Sequence, residues 1–313
     1  METGMNTEIE SETIEKVADI LCPYVKKVEQ RYNNDVAWGY LTGFNDYDEI
    51  TNGLHNSELT IIAGRHSMGK TTFVLNLAIS LAQQKIPVLY VSYDLSKEAI
   101  AEHLLTALAE VENTRIKSGN LSKKDWDKLT YAIDIIDKQL NKYLKVIPDC
   151  HLFYKDLFDK IRKFKSDNEN GVVIVDYFQL IKLYRAEDTR IIELSSLAAA
   201  FKHLTMEIKL PIILLSQVSK KCEDRDNKRP ILSDLAECDA LAQHSDNLMF
   251  LYREDYYNNI SNKDEEEKSL KDKNVADFNI AKQKNGPIGQ FKLLYQPQIN
   301  KFKNIIHLQV EMF

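Results

Sequence analysis

Short apolar runs alternate with helix-like segments along most of this chain. A continuous apolar run of about four to eight residues is typical of a buried strand, whereas apolar residues three or four apart indicate an amphipathic helix. Strands are therefore predicted at residues 59–63, 87–94, 171–176 and 211–217, and helices at residues 73–84, 96–111, 155–164 and 189–208. This alternation predicts a mainly parallel sheet flanked by helices.

Two of the predicted helices begin at capping residues. Ser96 precedes one helix and is a residue type that accepts a hydrogen bond from the first turn. Ser122 and Asp125 have the spacing of a capping box at the start of another helix.

The last part of the chain changes from this alternation to successive strand candidates. They cover residues 247–254, 275–284, 289–296 and 305–310, with a turn in the sequence NGPIG. The two patterns together predict an α/β fold in which antiparallel strands are added to the sheet near the C-terminus. Ligands in such folds bind at the carboxyl ends of the strands.

Residues 1–40 are predicted to form a helical segment that is separate from a domain at residues 41–313. Pro23 interrupts the helical pattern and suits the first turn of a second helix. Val25, Val28 and Tyr32 give that second helix an apolar face. The face would either pack on the core of its own chain or dock on a neighbouring subunit.

Composition and charge exclude several classes of protein. The 313 residues carry a net charge of −6, which argues against indiscriminate nucleic-acid binding but allows a local basic channel. The four cysteines lie far apart without a C-x-x-C pair, so neither a zinc site nor a disulfide framework is predicted. No signal peptide or membrane span is predicted, and a reducing, cytoplasmic location is expected.

The sequence GRHSMGKT at residues 64–71 fits the phosphate-loop (P-loop) pattern G-x-x-x-x-G-K-[ST], between a predicted strand and a predicted helix. Its glycines let backbone N–H groups turn toward phosphate oxygens, and the helix N-terminus adds positive potential. Lys70 is predicted to contact the β and γ phosphates, and the Thr71 hydroxyl to bind Mg²⁺ in preference to that of Thr72. The predicted nucleotide contacts are Gly64, Arg65, His66, Ser67, Met68, Gly69, Lys70, Thr71 and Thr72.

Polar side chains end three of the predicted strands. Asp176 follows four apolar residues and is predicted to hold Mg²⁺ directly or through water. Asp94 is predicted to orient or deprotonate the attacking water, from a strand expected beside the P-loop strand; its alternative role is to assist the start of the next helix. Gln217 is predicted to sense the γ phosphate, and a plain strand-end hydrogen bond is the alternative.

Residues 219–230 gather several cations, among them Lys220, Lys221 and Arg225. These residues are candidates for binding a nucleic-acid backbone. A run that mixes both signs of charge is, however, more often a solvated loop than a binding surface.

These motifs resemble those of the C-terminal, RecA-like motor domain of DnaB-type replicative helicases. The matching sequences run in family order from about Leu41 to Phe302: LTGFNDYDEITNGL, GRHSMGKT, SYDLS, VDYFQL, LSQVSK, DRDNKRPILSDL and AKQKNGPIG. The resemblance implies a ring hexamer that hydrolyses ATP with Mg²⁺ at subunit boundaries and moves along single-stranded DNA. A helicase loader or another helicase is a further expected partner.

The resemblance also implies roles for particular residues. Lys70, Thr71 and Asp176 would bind the nucleotide and Mg²⁺, and Gln217 would sense the γ phosphate. Two catalytic cations, Lys282 and Lys284, would enter the active site of the neighbouring subunit; without the resemblance they would be ordinary exposed cations of a strand. The candidate DNA contacts are Lys220, Lys221 and Arg225 of the cation-rich run, together with Glu237, which stands in the loop that faces DNA in the family.

The sequence departs from the family pattern at several of these positions. Asp94 stands where the family usually has Glu, so its carboxylate is one methylene group shorter. Lys284 stands where the family usually has Arg, and a lysine cannot reproduce the planar fork of a guanidinium. Ala236 and Asp239 replace the expected Arg and Gly of the DNA-facing loop, although Glu237 remains. The family's N-terminal primase-interacting domain has no counterpart here, and residues 1–40 would supply only the linker helix.

Two functions from different classes are therefore expected. The first is an ATP-dependent DNA helicase or its motor domain. The second is a helicase-derived regulatory or assembly subunit that binds ATP and docks on another helicase, with reduced hydrolysis or translocation. A recombination or clock-type RecA-like ATPase is disfavoured by the helicase-specific motifs near the C-terminus.

Overall fold

The computed structural model describes residues 16–33, 38–183, 189–235, 239–260 and 274–305. The chain divides into two units, Met1–Trp38 and Gly39–Phe313. The described part of the first unit is essentially one helix, and the second unit contains a sheet with its flanking helices.

Helix α1, Val17–Tyr32, runs through Pro23 without a break. The prediction that Pro23 begins a second helix is therefore wrong. Proline removes one helical hydrogen bond, and because the described side chains of α1 are exposed, water can reach the freed carbonyl group. One stripe of α1 carries exposed apolar side chains at helical spacing: Val17, Ile20, Leu21, Tyr24, Val25, Val28 and Tyr32.

The second unit alternates strands with helices up to its last third. Its helices are α2 (Asn45–Thr51), α3 (Lys70–Gln83), α4 (Lys97–Ala109), α5 (Asn113–Ser118), α6 (Lys123–Ile135), α7 (Asn141–Tyr143), α8 (Tyr154–Asp167), α9 (Arg190–Ile208), α10 (Asp239–His244) and α11 (Glu254–Ile260). Its strands are β1 (Leu59–Gly64), β2 (Val88–Ser92), β3 (Leu144–Ile147), β4 (Val172–Asp176), β5 (Ile212–Gln217), β6 (Asn247–Tyr252), β7 (Val275–Gln283), β8 (Gly289–Gln296) and β9 (Lys301–Asn304).

The described strands form one nine-stranded sheet in the order β3-β2-β4-β5-β1-β6-β7-β8-β9. Strands β1 to β6 pair with one another in parallel, and β7, β8 and β9 are added to β6 in antiparallel order. This confirms the predicted α/β class, a mainly parallel sheet with antiparallel strands near the C-terminus. The register aligns Gly64 with Gln217 and Ser92 with Asp176, so the polar strand ends share one edge of the sheet.

The strand order corrects one expectation. The strand before Asp94, β2, is not adjacent to the P-loop strand β1, because β4 and β5 lie between them. Crossover helices allow parallel strands to enter a sheet in different orders, and periodicity along the chain does not encode that order.

Apolar side chains cover both faces of the sheet. Ile62 belongs to a core cluster with Phe73 of α3, and its neighbour Ile61 belongs to a second cluster with Phe201 of α9. Successive residues of a strand point to opposite faces, which explains why a strand between two helical layers is apolar throughout.

Several local predictions are confirmed. The Ser96 hydroxyl accepts a hydrogen bond from the backbone N–H of Ala99, and Ser122 and Asp125 form a capping box. Strand β9 was not predicted, and the strand expected at residues 305–310 lies outside the described residues except for Ile305, which is not in a strand. Within the described ranges, no helix is both long and apolar enough to cross a membrane.

Candidate nucleotide-binding site

The P-loop connects β1 to α3 at the carboxyl edge of the sheet, and glycine is required at both of its fixed positions. Gly69 has a φ of +99°, and a Cβ atom there would lie 3.1 Å from the Phe302 ring. A Cβ atom on Gly64 would lie 2.7 Å from the carbonyl oxygen of Leu251. Ser67 also has positive φ, so the loop turns tightly enough to direct several backbone N–H groups toward one point.

The Lys70 side chain stabilises this loop through hydrogen bonds to its backbone. Its ammonium group donates hydrogen bonds to the carbonyl oxygens of Gly64 at 2.8 Å and Arg65 at 2.9 Å. Burial lowers the pKa of Lys70 to about 8, an effect that the nearby charges of Asp176 and Asp94 oppose. A phosphate that displaces the two carbonyl groups would offer this buried cation a stronger partner.

We expect the affinity for ATP to fall as pH rises above about 8. Below that pH Lys70 is charged in the free protein, whereas above it binding must add a proton, because the phosphates favour the ammonium form. Kd is then expected to rise by up to about tenfold per pH unit between about pH 8.5 and 9.5. Calorimetric titrations across this range test the expectation. Lys70→Arg stays charged across this range and is the control, for which Kd is expected not to change with pH. An equal Kd at about pH 8.5 and 9.5 for the unmodified protein would contradict the expectation.

Thr71 and Asp176 face each other beside the P-loop. The Thr71 hydroxyl donates to the Asp176 carboxylate at 2.7 Å, and Tyr90 donates to the same oxygen at 3.0 Å. Burial raises the pKa of Asp176, while these two donors and Lys70 counteract the increase. Thr72, in contrast, is buried in the core, with its carbonyl oxygen accepting a hydrogen bond from Asn76.

This pair suits Mg²⁺, which prefers a few oxygen ligands and keeps part of its water shell. A hydroxyl and a carboxylate already lie within hydrogen-bond distance, and phosphate oxygens would complete such a site. No cluster of three or more His, Cys, Asp or Glu side chains with metal-binding geometry occurs among the residues that the structure covers. The Thr71 and Asp176 pair fits a site that a bound nucleotide would complete.

Asp94 and Gln217 lie at the same edge of the sheet but at different distances from β1. Gln217, on the adjacent strand β5, is aligned with Gly64 of β1, and its side chain hydrogen-bonds with Tyr177. Asp94 is exposed two residues beyond the end of β2, yet its charge acts on both Lys70 and Asp176. Both side chains are thus near the proposed phosphate position, although Asp94 approaches from the far side of β4.

Lys282 and Lys284 lie at the opposite, amino edge of the sheet. Lys282 is aligned with Leu248 near the start of β6, and the Lys284 backbone N–H donates to the carbonyl oxygen of Asp246 at 2.9 Å. The six residues of β1 separate this edge from the P-loop by about 15–20 Å. Neither lysine belongs to the nucleotide site of its own chain.

The ammonium groups of Lys282 and Lys284 differ in how free they are to bind another molecule. The Lys282 ammonium donates to three carbonyl oxygens, those of Ala242, Gln243 and Ser245, at 2.5–3.2 Å, and so caps the end of α10. Lys284 is 65% exposed, and its ammonium lies 3.8 Å from Asp246. Asp246 already accepts hydrogen bonds from Lys202 and from the backbone N–H of Leu59, so Lys284 can leave it without exposing an unpaired carboxylate.

Sequence reasoning missed two residues that border the P-loop. Arg253 follows β6, donates to the Ser67 carbonyl oxygen at 3.3 Å and lies 4.4 Å above the Tyr295 ring. Tyr295 in turn stacks on Phe302 at a centroid distance of 4.5 Å. Arg253 is a polar residue at the end of the apolar run 247–252, which places it at a strand end, but its contact with the P-loop depends on β6 lying beside β1.

The predicted DNA-binding residues occupy the segment after β5. Lys220 and Lys221 are exposed, whereas Arg225 forms two hydrogen bonds with Asp234, at 2.8 and 2.7 Å, and holds this segment in place. Glu237 and Ala236 lie outside the described residues, and Asp239 is the first residue of α10. A carboxylate at a helix N-terminus is stabilised by the helix dipole.

The strand order, with a P-loop after the central strand β1 and an aspartate at the end of β4, defines a RecA-like fold of the P-loop class. Comparison with known proteins is more specific. The chain belongs to the DnaB-like helicase C-terminal domain family, whose model matches residues 39–304.

The chain is 35% identical over 307 residues to a probable replicative DNA helicase of Trieres chinensis, covering 97% of this chain and 65% of that protein. It is 34% identical to the replicative DNA helicase DnaB of Geobacillus stearothermophilus, covering 94% of this chain and 63% of that protein. A solved DnaB-like replicative helicase, described with its interactions with primase, superposes with a TM-score of 0.84 at 29% identity and covers 93% of this chain and 69% of its own. The chain thus spans about two thirds of the length of these relatives or slightly less.

Proposed function

We propose that this chain is the motor of a DnaB-like replicative DNA helicase, in which copies hydrolyse ATP at subunit boundaries and move along single-stranded DNA. The observation that carries the proposal is that the residues expected at the active site lie at two opposite edges of the sheet. Lys70, Thr71 and Asp176 lie at one edge of the sheet and Lys284 at the other. One chain cannot bring its own Lys284 to its own nucleotide, so if Lys284 acts on a nucleotide, as the family resemblance implies, that nucleotide belongs to a neighbouring copy.

ATP is the proposed substrate. The N–H groups of the P-loop and the ammonium of Lys70 would hold its β and γ phosphates, supported by the positive end of α3. Arg253 is buried over the Tyr295 ring and paired with Asp255 at 2.8 Å, so it would support the loop from its own chain rather than contact the nucleobase. Asp94 would orient the attacking water, and Gln217 would contact the γ phosphate.

Thr71 and Asp176 would hold Mg²⁺, which when bound neutralises charge on the phosphate oxygens. The protein's own contribution is to keep these two oxygens together. Tyr90 fixes the Asp176 carboxylate, and the start of α3 fixes Thr71. Burial of Asp176 keeps competing water away from the site.

The subunits are proposed to form a ring, hexameric by family resemblance, in which the P-loop edge of each copy meets the amino edge of the next. A repeated head-to-tail contact of this kind can close into a ring. Lys284 is the better candidate for the cation that acts on the neighbour's nucleotide, because the N–H groups of Lys282 are already bound to carbonyl groups. Residues 1–40 would supply a docking segment, with the apolar stripe of α1 packing on a neighbouring copy.

Lys220 and Lys221 are proposed to bind the phosphates of single-stranded DNA, since their side chains are exposed on the segment after β5. Arg225 would act mainly by holding that segment through Asp234. Glu237 is proposed as a further contact of the same loop. A cytoplasmic location, with a helicase loader or another helicase as a further partner, is proposed together with this function.

The alternative is a regulatory or assembly subunit that binds ATP and docks on another helicase. Asp94 and Lys284 favour it, because each is less suited to catalysis than the residue usual in the family. A shorter carboxylate reaches less far toward water, and an ammonium lacks the two-pronged contact of a guanidinium. Such a subunit would retain ATP binding and show little hydrolysis.

If these two residues limit catalysis, the double variant Asp94→Glu with Lys284→Arg is expected to hydrolyse ATP faster than the unmodified chain. The longer carboxylate comes nearer the water, and the guanidinium stabilises developing phosphate charge, an effect of about 10³-fold or more where arginine acts in trans. Rates at saturating ATP measure the effect. The single variants separate the two contributions, and no increase in any of them would contradict the explanation.

Steady-state ATP hydrolysis with and without single-stranded DNA tests the proposed function, on material whose mass in solution is measured with ATP and Mg²⁺. The motor is expected to form a ring-sized species whose hydrolysis DNA stimulates severalfold. Tight ATP binding with negligible turnover that DNA does not change would instead favour the regulatory subunit. Stoichiometric binding to a larger helicase would then identify its partner.

A further inference from the structure

Glu223 connects the P-loop to the segment that carries Lys220 and Lys221. It lies on the same short 3-10 helix as those lysines, Lys220–Asp224, two residues after Lys221. One oxygen of its carboxylate accepts hydrogen bonds from the Arg65 guanidinium at 2.8 Å and from the Tyr257 hydroxyl at 3.3 Å. The P-loop, the segment after β5 and helix α11 therefore meet at one atom.

This ion pair is not an ordinary surface contact. The side chains of Arg65 and Glu223 are only 16% and 24% exposed, and solvent screens such a pair less than an exposed one. Burial acts to raise the pKa of Glu223, but the hydrogen bond and the charge of Arg65 outweigh it and lower that pKa, so the carboxylate is ionised near neutral pH. Arg65 also donates to the Val218 carbonyl oxygen at 3.1 Å, next to Gln217.

Both the backbone carbonyl group and the guanidinium of Arg65 form hydrogen bonds. Its carbonyl oxygen accepts the Lys70 ammonium, and its guanidinium binds Glu223 and Val218. A triphosphate that takes Lys70 as its partner removes the hydrogen bond that holds the Arg65 carbonyl group. Loss of that bond would allow the Arg65 backbone and side chain to shift together, and Glu223, paired with the guanidinium at 2.8 Å, would shift with them.

We propose that Glu223 is a positioning residue that couples nucleotide occupancy of the P-loop to the placement of Lys220 and Lys221. The inference rests on the proposed helicase function and adds to it a second connection, separate from Gln217. Because coupling between two binding sites is reciprocal, a nucleotide changes the affinity for DNA by the same factor as DNA changes the affinity for the nucleotide. A factor of about 5 to 150 is typical of such coupling.

Glu223→Gln tests this inference, because it removes the charge and keeps the shape of the side chain. Kd for a fluorescent oligothymidylate is measured with a non-hydrolysable ATP analogue and without nucleotide, together with hydrolysis in the absence of DNA. The ratio of the two Kd values is expected to fall at least about fivefold toward one, with DNA-independent hydrolysis unchanged. Asp224→Asn, an exposed acid on the same short helix, is the matched control and is expected to keep the unmodified ratio.

Glu223→Asp provides a second variant that keeps the charge but withdraws it by one methylene group, and an intermediate ratio is expected. An unmodified ratio in Glu223→Gln would overturn the inference and leave the helicase function intact. Loss of ATP affinity in the same variant would also overturn it, since Glu223 would then only support the shape of the P-loop. An unmodified chain that binds no DNA in either nucleotide state would refute the proposed function and this inference together.

Discussion

Lys70→Ala is expected to abolish tight ATP binding. The buried ammonium is the cation placed for the β and γ phosphates, and alanine leaves those oxygens without its charge-assisted hydrogen bonds. Two such bonds contribute about 3 kcal/mol or more, which corresponds to a rise in Kd of more than about 100-fold. Calorimetry or the fluorescence of a labelled ATP analogue measures the loss directly.

Folding must be separated from binding in this experiment, because Lys70 also holds the carbonyl groups of Gly64 and Arg65. Thermal unfolding without nucleotide provides that separation. Lys163→Ala, at an exposed lysine of α8, is the matched control and is expected to leave both affinity and unfolding unchanged. ATP affinity that survives in a folded Lys70→Ala protein would refute the assignment of the P-loop.

Lys284→Ala is expected to reduce ATP hydrolysis by at least about 100-fold while ATP binding changes little. The lysine is distant from its own P-loop, so it contributes to hydrolysis only by reaching the nucleotide of the next subunit. Trans-acting arginines contribute about 10³ to 10⁵ in related enzymes, and the expected effect is smaller because an ammonium makes fewer directed contacts. Single-turnover rates at saturating ATP are the appropriate measurement.

Mixing two inactive variants gives a sharper test of action between subunits. In a 1:1 mixture of Lys70→Ala and Lys284→Ala chains, about a quarter of head-to-tail interfaces combine an intact P-loop with an intact Lys284. Hydrolysis is expected to return in the mixture, although neither variant alone is active. Lys292→Ala, at an exposed lysine paired with Asp277, is the control. A mixture that stays inactive after verified subunit exchange would contradict the proposal.

Much of the nucleotide site follows from local sequence rules. The P-loop pattern specifies the turn, the lysine and the threonine within eight consecutive residues, and the apolar run before Asp176 identifies a strand end. Parallel strands place their carboxyl ends together, which is why Thr71 and Asp176 meet although they lie 105 positions apart. These features require no knowledge of the order of the strands.

The features that were missed depend on that order. Asp94 was expected beside the P-loop strand, but β4 and β5 separate them. Arg253 contacts the P-loop because β6 is the other neighbour of β1, and a single arginine after an apolar run does not reveal this. Pro23 is a separate case that does not depend on strand order. A proline inside a helix removes one hydrogen bond, and the sequence alone does not show that α1 is exposed, where water can replace that bond.

The packing of Phe302 against Gly69 has a consequence for synthesis of the protein. Asn76 of α3 donates to the Asn300 carbonyl oxygen and accepts from the Phe302 backbone N–H, so β9 also supports the helix that follows the P-loop. The P-loop leaves the ribosome long before β9, yet its native surroundings require that strand. ATP is therefore expected to stabilise the nascent chain only after residue 302 has emerged, because binding stabilises only the form that has the complete site.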